Sequence, residues 1–175
     1  MPTAVDSSGG SLPIRIVAVA GGNLPTPQEA ANAREVGRLL AGAGMAVATG
    51  GRGGVMEEAC RGAFEAGGLT VGILPGGGPD ETPPNRYVRV AIFTGLGDAR
   101  NAVLVRTARA LVAVGGSYGT LSEIGLALKA GRPVVLLGSW SIAPPSPIAG
   151  CERLLFRAAT PEEAAATAIR LALQA

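Results

Sequence analysis

The segment of the chain with the clearest capacity for chemistry is a glycine-rich turn that spans residues 115–120. Its glycines would let the backbone approach a ligand without interference from a Cβ atom. The helix predicted to follow presents free N–H groups and a partial positive charge at its start. The sequence therefore predicts an anion site, most naturally for a phosphate, although a turn that only permits tight strand-to-helix packing is the alternative. The residues concerned are Gly115, Gly116, Ser117, Tyr118, Gly119 and Thr120.

A carboxylate and a guanidinium stand near this turn in the sequence. Glu123 follows Thr120 by three residues, so it either closes a capping box or places a carboxylate at the rim of the anion site. Arg100 lies at the start of a predicted helix, where the helix dipole disfavours a cation. That misfit predicts an anionic partner, either Asp98 or a ligand, unless Arg100 is an ordinary surface residue.

Two further glycine clusters end predicted strands, and in a parallel sheet such ends gather at one edge. Gly21 and Gly22 end the first strand, and Gly51, Arg52 and Gly53 follow the second. We predict that both clusters contribute to the ligand site, with Arg52 either reaching a ligand phosphate or remaining in solvent.

The composition removes several classes of function. The chain contains no histidine, which excludes Ser-His-Asp catalysis and the common histidine-containing zinc sites, and we predict no metal site. Neither the GxGxxG dinucleotide motif nor the GxxxxGK[ST] loop is present. The net charge is +2 without a basic run, so no nucleic acid partner is expected. No apolar segment is long enough to span a membrane, and we expect a cytoplasmic protein.

Apolar, β-branched strands alternate with helices along the chain, and this order predicts the fold. Strands are predicted near 14–20, 45–49, 69–74, 88–93, 110–114 and 133–137, with a short one within 152–159. Helices are predicted at about 26–42, 55–66, 98–109 and 118–130 and from 160, and a Pro-rich loop is predicted at 139–150. The prediction is an α/β, Rossmann-like, doubly wound and mostly parallel sheet of six to seven strands with helices on both faces. Residues 13–175 would form this single domain, and residues 1–12 a disordered N-terminus.

Two motifs resemble those of the LOG ("Lonely Guy") family, a superfamily once described as lysine decarboxylases. The segment 116–123, GSYGTLSE, is similar to the PGGxGTxxE motif of that family, and 51–56, GRGGVM, is similar to its GGGxxGLM segment. The resemblance runs from about Ile14 to Leu137. It implies a Rossmann-like fold, a homodimer or higher homo-oligomer, and hydrolysis of nucleoside 5′-monophosphates to a free base and ribose 5-phosphate.

The resemblance also assigns roles to individual residues. The catalytic arginine and glutamate of the family correspond to Arg100 and Glu123, and residues 116–120 would hold the 5′-phosphate. The chain departs from the motif at Gly115, where the family has proline, and at Ser117 and Ser122. Asn101, which we predict to contact the ligand, replaces the usual lysine. These departures resemble a neighbouring branch that includes the molybdenum cofactor carrier proteins.

Two functions are therefore expected. The first is a nucleoside 5′-monophosphate N-ribohydrolase that needs no cofactor. The alternative is a non-catalytic carrier that holds the molybdenum cofactor, a phosphorylated pterin, or another phosphorylated small molecule as cargo. In both cases the partner is a small phosphorylated molecule.

Overall fold

The computed structural model describes residues 14–143 and 153–174. The predicted disordered N-terminus and most of the predicted loop at 139–150 lie outside this range. The strands are β1 (Ile16–Gly21), β2 (Ala46–Thr49), β3 (Thr70–Leu74), β4 (Val90–Phe93), β5 (Ala110–Val114), β6 (Val134–Leu137) and β7 (Leu155–Ala158). The helices are α1 (Pro27–Gly42), α2 (Val55–Glu65), α3 (Arg100–Thr107), α4 (Tyr118–Lys129) and α5 (Pro161–Gln174).

The strands form one sheet in the order β4-β3-β2-β1-β5-β6-β7, and every neighbouring pair is parallel. The chain builds outward from β1 to β4, then returns to the other side of β1 and builds outward again to β7. This arrangement confirms the predicted doubly wound α/β fold. The point at which the winding direction reverses lies between β1 and β5. Ligands of such sheets bind beyond the carboxyl ends of the strands at this point.

Helices cover both faces of the sheet, as predicted. Helices α1, α2 and α5 pack on one face, where Val17, Val19 and Val112 belong to their apolar cluster. Helices α3 and α4 pack on the other, with Ala18, Leu111 and neighbouring residues. The central strands β1, β2 and β5 are almost fully buried because both of their faces are covered, which explains their nearly continuous apolar sequences.

The contact between α1 and α2 is a backbone contact made possible by glycine. A Cβ atom on Gly37 would overlap the carbonyl of Ala59, and one on Gly62 would overlap the carbonyl of Arg34. The two helices that follow β1 and β2 therefore pack as one rigid pair. This pair holds the loops at the carboxyl ends of β1 and β2 in fixed positions beside the sheet.

Two elements are shorter than predicted. The helix expected from 98 to 109 is a 3₁₀ turn at Gly97–Ala99 followed by α3, which ends at Thr107. It stops there because Ala108 is extended and the Arg109 amide donates to the Ile16 carbonyl, which starts β5 beside β1. Strand β4 begins at Val90 rather than at 88. Among the described residues, no helix is long and apolar enough to cross a membrane.

Candidate functional site

A cleft of about 300 Å³ opens at the reversal point between β1 and β5. The loop after β1 forms one wall, and the glycine-rich turn after β5 forms the other. The helix α1 side chain of Glu29 completes the lining. The lining residues are Gly22, Asn23, Leu24, Glu29, Gly116 and Ser117. Of the predicted ligand residues, the structure thus brings Gly22, Gly116 and Ser117 together in one cleft.

The glycine-rich turn leaves the start of α4 without a cap. Gly115 and Gly116 have φ values of 53° and 113°, which favour glycine, and they direct the backbone from β5 into the helix. Ser117 is the N-cap, but its side chain makes no capping hydrogen bond. The first-turn N–H groups of α4 therefore have no acceptor within the helix and face the carboxyl end of the sheet.

The buried side chain of Thr120 is a second indication that this turn binds a ligand. This side chain is 2% exposed, and its hydroxyl has no hydrogen-bond partner among the described residues. A Cβ atom on Gly116 would lie 2.6 Å from the Thr120 hydroxyl oxygen, so the hydroxyl lies directly against the turn, although Thr120 is not itself among the residues that line the cleft. A buried hydroxyl without a partner carries a desolvation cost that a ligand acceptor would remove.

Glu29, which the sequence analysis did not select, stands opposite this turn. Its Oε2 accepts hydrogen bonds from the Thr26 amide at 2.7 Å and the Thr26 hydroxyl at 3.0 Å, while the Glu29 amide donates to the Thr26 hydroxyl oxygen. These bonds form a capping box at the start of α1. Its Oε1 fills the space that a Cβ atom on Gly115 would need. The sequence signal was Thr26-Pro27-Gln28-Glu29, but a capping box alone does not indicate a ligand site.

Arg100 and Glu123 form a buried ion pair beneath the turn. Arg100 Nη1 donates to Glu123 Oε1 at 3.0 Å, and both side chains are 7% exposed. A Cβ atom on Gly50 would lie 2.6 Å from Arg100 Nη2, so glycine at the end of β2 makes room for the guanidinium. Burial raises the pKa of the Glu123 carboxyl, and the Arg100 and Arg52 guanidinium groups oppose that rise.

This pair decides between the alternatives left open by the sequence. Helix α4 begins at Tyr118, so Glu123 lies too far into the helix for the capping box considered for Thr120 and Glu123, and it pairs with Arg100 instead. The predicted anionic partner of Arg100 is Glu123 rather than Asp98. Neither Arg100 nor Glu123 is among the residues that line the cleft.

The second glycine loop does not line the cleft. Gly51 is buried against Leu74, and its amide donates to the Thr49 hydroxyl. Asn85 donates to the carbonyls of Gly51 and Arg52, which fixes the loop to the segment before β4. Gly53 is half-buried in the same loop, and the Arg52 side chain is exposed. Arg52 is nevertheless close enough to oppose the rise in the Glu123 pKa.

Three other predicted ligand residues have distinct environments. Asn101, next to Arg100, is 5% exposed, and its Oδ1 has no hydrogen-bond partner among the described residues. Gly21 is closely packed, since a Cβ there would overlap the Val55 side chain. Tyr118 is 82% exposed and contacts Trp140, with ring centroids 5.8 Å apart.

The segment after β6 covers the turn from outside. Trp140 Nε1 donates to the Ser117 carbonyl at 3.2 Å, and the Ser139 hydroxyl donates to the Gly115 carbonyl. These contacts fix the turn to the segment that follows β6. No group of three or more His, Cys, Asp or Glu side chains within residues 14–143 and 153–174 is arranged to bind a metal ion.

Comparison with known proteins agrees with this architecture. The model of the SLOG cluster4 family, a LOG-like family, matches residues 14–165. A protein of Archaeoglobus fulgidus that is described as uncharacterized is 43% identical over 132 residues, which cover 75% of this chain and 80% of that protein.

Two solved structures share both the fold and much of the sequence. The molybdenum cofactor binding protein of the phototrophic bacterium Rippkaea orientalis is 39% identical, with a TM-score of 0.78 over 87% of this chain and 94% of that one. The Moco carrier protein of Chlamydomonas reinhardtii is 37% identical, with a TM-score of 0.79 over 93% of this chain and 100% of that one.

Proposed function

Because the chain belongs to the SLOG cluster4 family, a LOG-like family, we propose that it is a carrier that binds the molybdenum cofactor through the phosphate of that cofactor. The observation that carries this proposal is the uncapped start of α4, where the buried Thr120 hydroxyl has no partner among the described residues. The similarity to the Rippkaea orientalis and Chlamydomonas reinhardtii proteins supports this choice of cargo.

The residues of the turn fit a phosphate. The first-turn N–H groups of α4 and the Thr120 hydroxyl would donate to the phosphate oxygens, and the helix dipole would favour the negative charge. The glycines at 115 and 116 would let the phosphate approach the backbone. The remainder of the cofactor, including its pterin ring, would occupy the cleft lined by Asn23, Leu24 and Glu29. A cleft of about 300 Å³ is at the lower end of the range for small-molecule sites.

In this proposal the Arg100–Glu123 pair supports the turn rather than performing chemistry. Glu123 lies one turn into α4, and its Oε1 already accepts from Arg100. The pair joins the starts of α3 and α4 and so fixes the direction in which the free N–H groups point. A carrier needs this rigidity, because a fixed array of donors binds an anion without first being reorganised.

Hydrolysis of nucleoside 5′-monophosphates is the second candidate, and the same ion pair is what favours it. A buried carboxylate close to a phosphate site could stabilise a positively charged ribosyl centre. For that to occur, Glu123 would have to leave its contact with Arg100 and reach the cleft. Because the Glu123 carboxylate is held in a buried contact with Arg100, binding without turnover is the better supported function.

The two functions are separated by comparing the parent protein with Thr120→Val. We expect the molybdenum cofactor to bind the parent at one molecule per chain and to raise its melting temperature, while AMP yields no adenine. Thr120→Val removes the hydroxyl at nearly constant volume, so cofactor affinity should fall about tenfold, the effect of one hydrogen bond to a charged group. Titration calorimetry, thermal melting and adenine release are the measurements.

Thr107→Val serves as the control for this experiment. Thr107 is an exposed helical threonine whose hydroxyl donates to the Val103 carbonyl, away from the cleft. It should leave cofactor affinity unchanged. Absence of cofactor binding would overturn the carrier proposal, and release of adenine that Glu123→Gln abolishes would establish the hydrolase instead.

We also propose that the protein is a homodimer formed through the β4 edge of the sheet. Val90 and Ile92 are 43% and 41% exposed on this edge strand, and Leu96 just beyond it is 52% exposed. An edge strand with an apolar face is prone to association with another chain. The homo-oligomer that the resemblance to the LOG family implies favours a second copy of this chain as the partner.

A further inference from the structure

We propose that Glu29 is a specificity residue that restricts the cleft to a ligand with a single phosphate group. This inference rests on the proposed phosphate site at the start of α4. It assigns a role to a carboxylate that stands beside that site and that the carrier function by itself does not explain.

The N-termini of α1 and α4 both lie at the reversal point of the sheet. They differ in the groups that accept hydrogen bonds from their N–H groups. At α1 the Thr26 hydroxyl oxygen accepts from the Glu29 amide, and the Glu29 carboxylate accepts from the Thr26 amide. At α4 no side chain does so, and the Thr120 hydroxyl is unpartnered among the described residues. The first helix of the fold is therefore closed to anions by its own carboxylate, whereas the fourth is open.

This closure matters because the first helix of a dinucleotide-binding Rossmann fold normally receives the pyrophosphate. Here the negative charge at that position belongs to the protein. A phosphate held at α4 has Glu29 as its neighbour across the cleft, since Gly116, Ser117 and Glu29 share the lining. The group of the ligand that is attached to this phosphate must therefore approach the Glu29 carboxylate.

Gly115 and Glu29 fit together at this point. The Glu29 Oε1 occupies the volume that a side chain at position 115 would need, and the φ value of 53° at Gly115 is one that proline cannot adopt. Glycine at 115 thus admits the carboxylate to the edge of the phosphate site. Its Oε2 is held by Thr26, so Oε1 is the oxygen left to face a ligand.

The charge of Glu29 separates two kinds of ligand. A second phosphate would bring a negative charge within a few ångströms of a carboxylate in a half-enclosed cleft, where Coulomb repulsion is only partly screened. A neutral group at the same position, such as a ring N–H or a hydroxyl, would instead donate to Oε1. Glu29 therefore favours a phosphomonoester attached to a neutral donor over diphosphates and dinucleotides.

The test compares inorganic phosphate with pyrophosphate in the parent protein and in Glu29→Gln. Glutamine can still complete the capping box, so the substitution removes the charge while α1 keeps its cap. The backbone amide NMR signals of Gly116 and Gly119 report binding at α4. We expect the parent to bind phosphate about tenfold more tightly than pyrophosphate, and Glu29→Gln to reduce that preference to about twofold or less.

The preference is diagnostic because pyrophosphate carries more charge and would otherwise bind the same N–H groups more tightly. Glu163→Gln is the matched control. Glu163 lies at the equivalent position in α5, where its amide donates to the Thr160 hydroxyl and its Oε2 accepts from the Ala159 amide, and it is not part of the cleft lining. This variant should keep the preference of the parent.

Equal binding of the two anions by the parent would overturn the inference, and so would an unchanged preference in Glu29→Gln. If neither anion shifts the Gly116 and Gly119 signals, the phosphate site itself is wrong and the inference falls with it. If phosphate binds with the expected preference but the molybdenum cofactor does not bind, only the carrier function is refuted.

Discussion

Arg100 and Glu123 bury two opposite charges beneath the glycine-rich turn. Removing charges from water is costly, and their mutual attraction repays that cost only when the geometry is good. Here the geometry is good, with 3.0 Å between Arg100 Nη1 and Glu123 Oε1, and Gly50 leaves space for the guanidinium. A well-packed apolar pair could give comparable stability, which suggests that the ion pair is retained for its effect on the site.

The first prediction follows from the balance between the desolvation cost of the two charges and their mutual attraction. Glu123→Ala leaves the Arg100 cation buried without compensation, and we expect the free energy of unfolding to fall by about 3–5 kcal/mol. The double variant Arg100→Met with Glu123→Leu removes both charges and should stay within about 2 kcal/mol of the parent. Urea denaturation measures both. Equal losses of stability in the single and double variants would contradict this account of the pair.

At the residue scale the sequence predicted some contacts and missed others. Arg100 was expected to need an anionic partner because a cation is disfavoured at a helix start, and that reasoning was sound. The two partners considered were Asp98 and a ligand, and the structure instead pairs Arg100 with Glu123 of α4. Glu29 was missed because its proximity to Gly115 depends on the tertiary packing of α1 beside β5, which no local pattern encodes.

The helices differ in how their first turns are satisfied. Helices α1 and α5 both begin with threonine followed by proline, and each has a glutamate at the third helical position that takes part in the cap. Helices α2, α3 and α4 have no side-chain capping bond, although the N-cap of α4 is a serine, Ser117. Side-chain caps are therefore present at α1 and α5 and absent at α4.

Introducing a cap at α4 gives the second prediction. In Ser117→Asp the new carboxylate can accept from the first-turn N–H groups, so the ligand-free protein should gain about 1 kcal/mol of stability. The same carboxylate would occupy the phosphate position, and affinity for inorganic phosphate should fall at least about tenfold. Thermal unfolding and NMR titration are the measurements.

Ser117→Ala is the control for this prediction, since it removes the hydroxyl without adding charge. Its stability should stay within about 0.5 kcal/mol of the parent, because the serine side chain makes no capping bond. If Ser117→Asp binds phosphate as tightly as the parent, the first turn of α4 is not the anion site.

The elements themselves were largely predictable from local signals. Threonine-proline pairs marked the starts of α1 and α5, and apolar β-branched runs marked the strands. The helix at 98–109 was predicted too long because its end is set by pairing with β1, where the Arg109 amide donates to the Ile16 carbonyl. An end fixed by a distant strand leaves no capping signal in the sequence.

At the scale of the whole molecule, the sheet has an uneven covering. Val71 and Ile73 of β3 belong to the apolar cluster under α3 and α4, and Val90 and Ile92 lie beside them in register on β4. Neighbouring residues in register point to the same face of a sheet. The side chains of Val90 and Ile92 therefore continue this apolar face to the edge, where they are more than 40% exposed.

The proposed dimer is tested at this edge. We expect the parent protein to show twice the mass of one chain in light scattering, and Ile92→Asp to dissociate into monomers. Because Ile92 is only 41% exposed, covering it contributes about 0.6–1.2 kcal/mol per copy, and two copies would be lost, so the dissociation constant should rise at least about tenfold. Leu173→Asp alters an exposed leucine on α5 and should leave the dimer intact. A monomeric parent would refute the interface.

The doubly wound, parallel sheet was predicted from the alternation of strands and helices together with right-handed crossovers, whereas the order of the strands was not predicted. The uneven covering of the sheet could not be read from the sequence, because Val90 and Ile92 have the same apolar character as buried strand residues. Whether such residues are covered depends on where α3 lies, and α3 packs against β3 and β1 rather than over β4.

The unpartnered Thr120 hydroxyl also bears on how long a molecule of this protein survives. A ligand that satisfies it stabilises the folded state by an amount that grows with the logarithm of ligand concentration. Proteases cut chains that have opened locally, and binding makes such opening at the start of α4 rarer. We therefore expect the filled protein to persist and the empty protein to be degraded first, so that the supply of cargo sets the abundance of the protein that holds it.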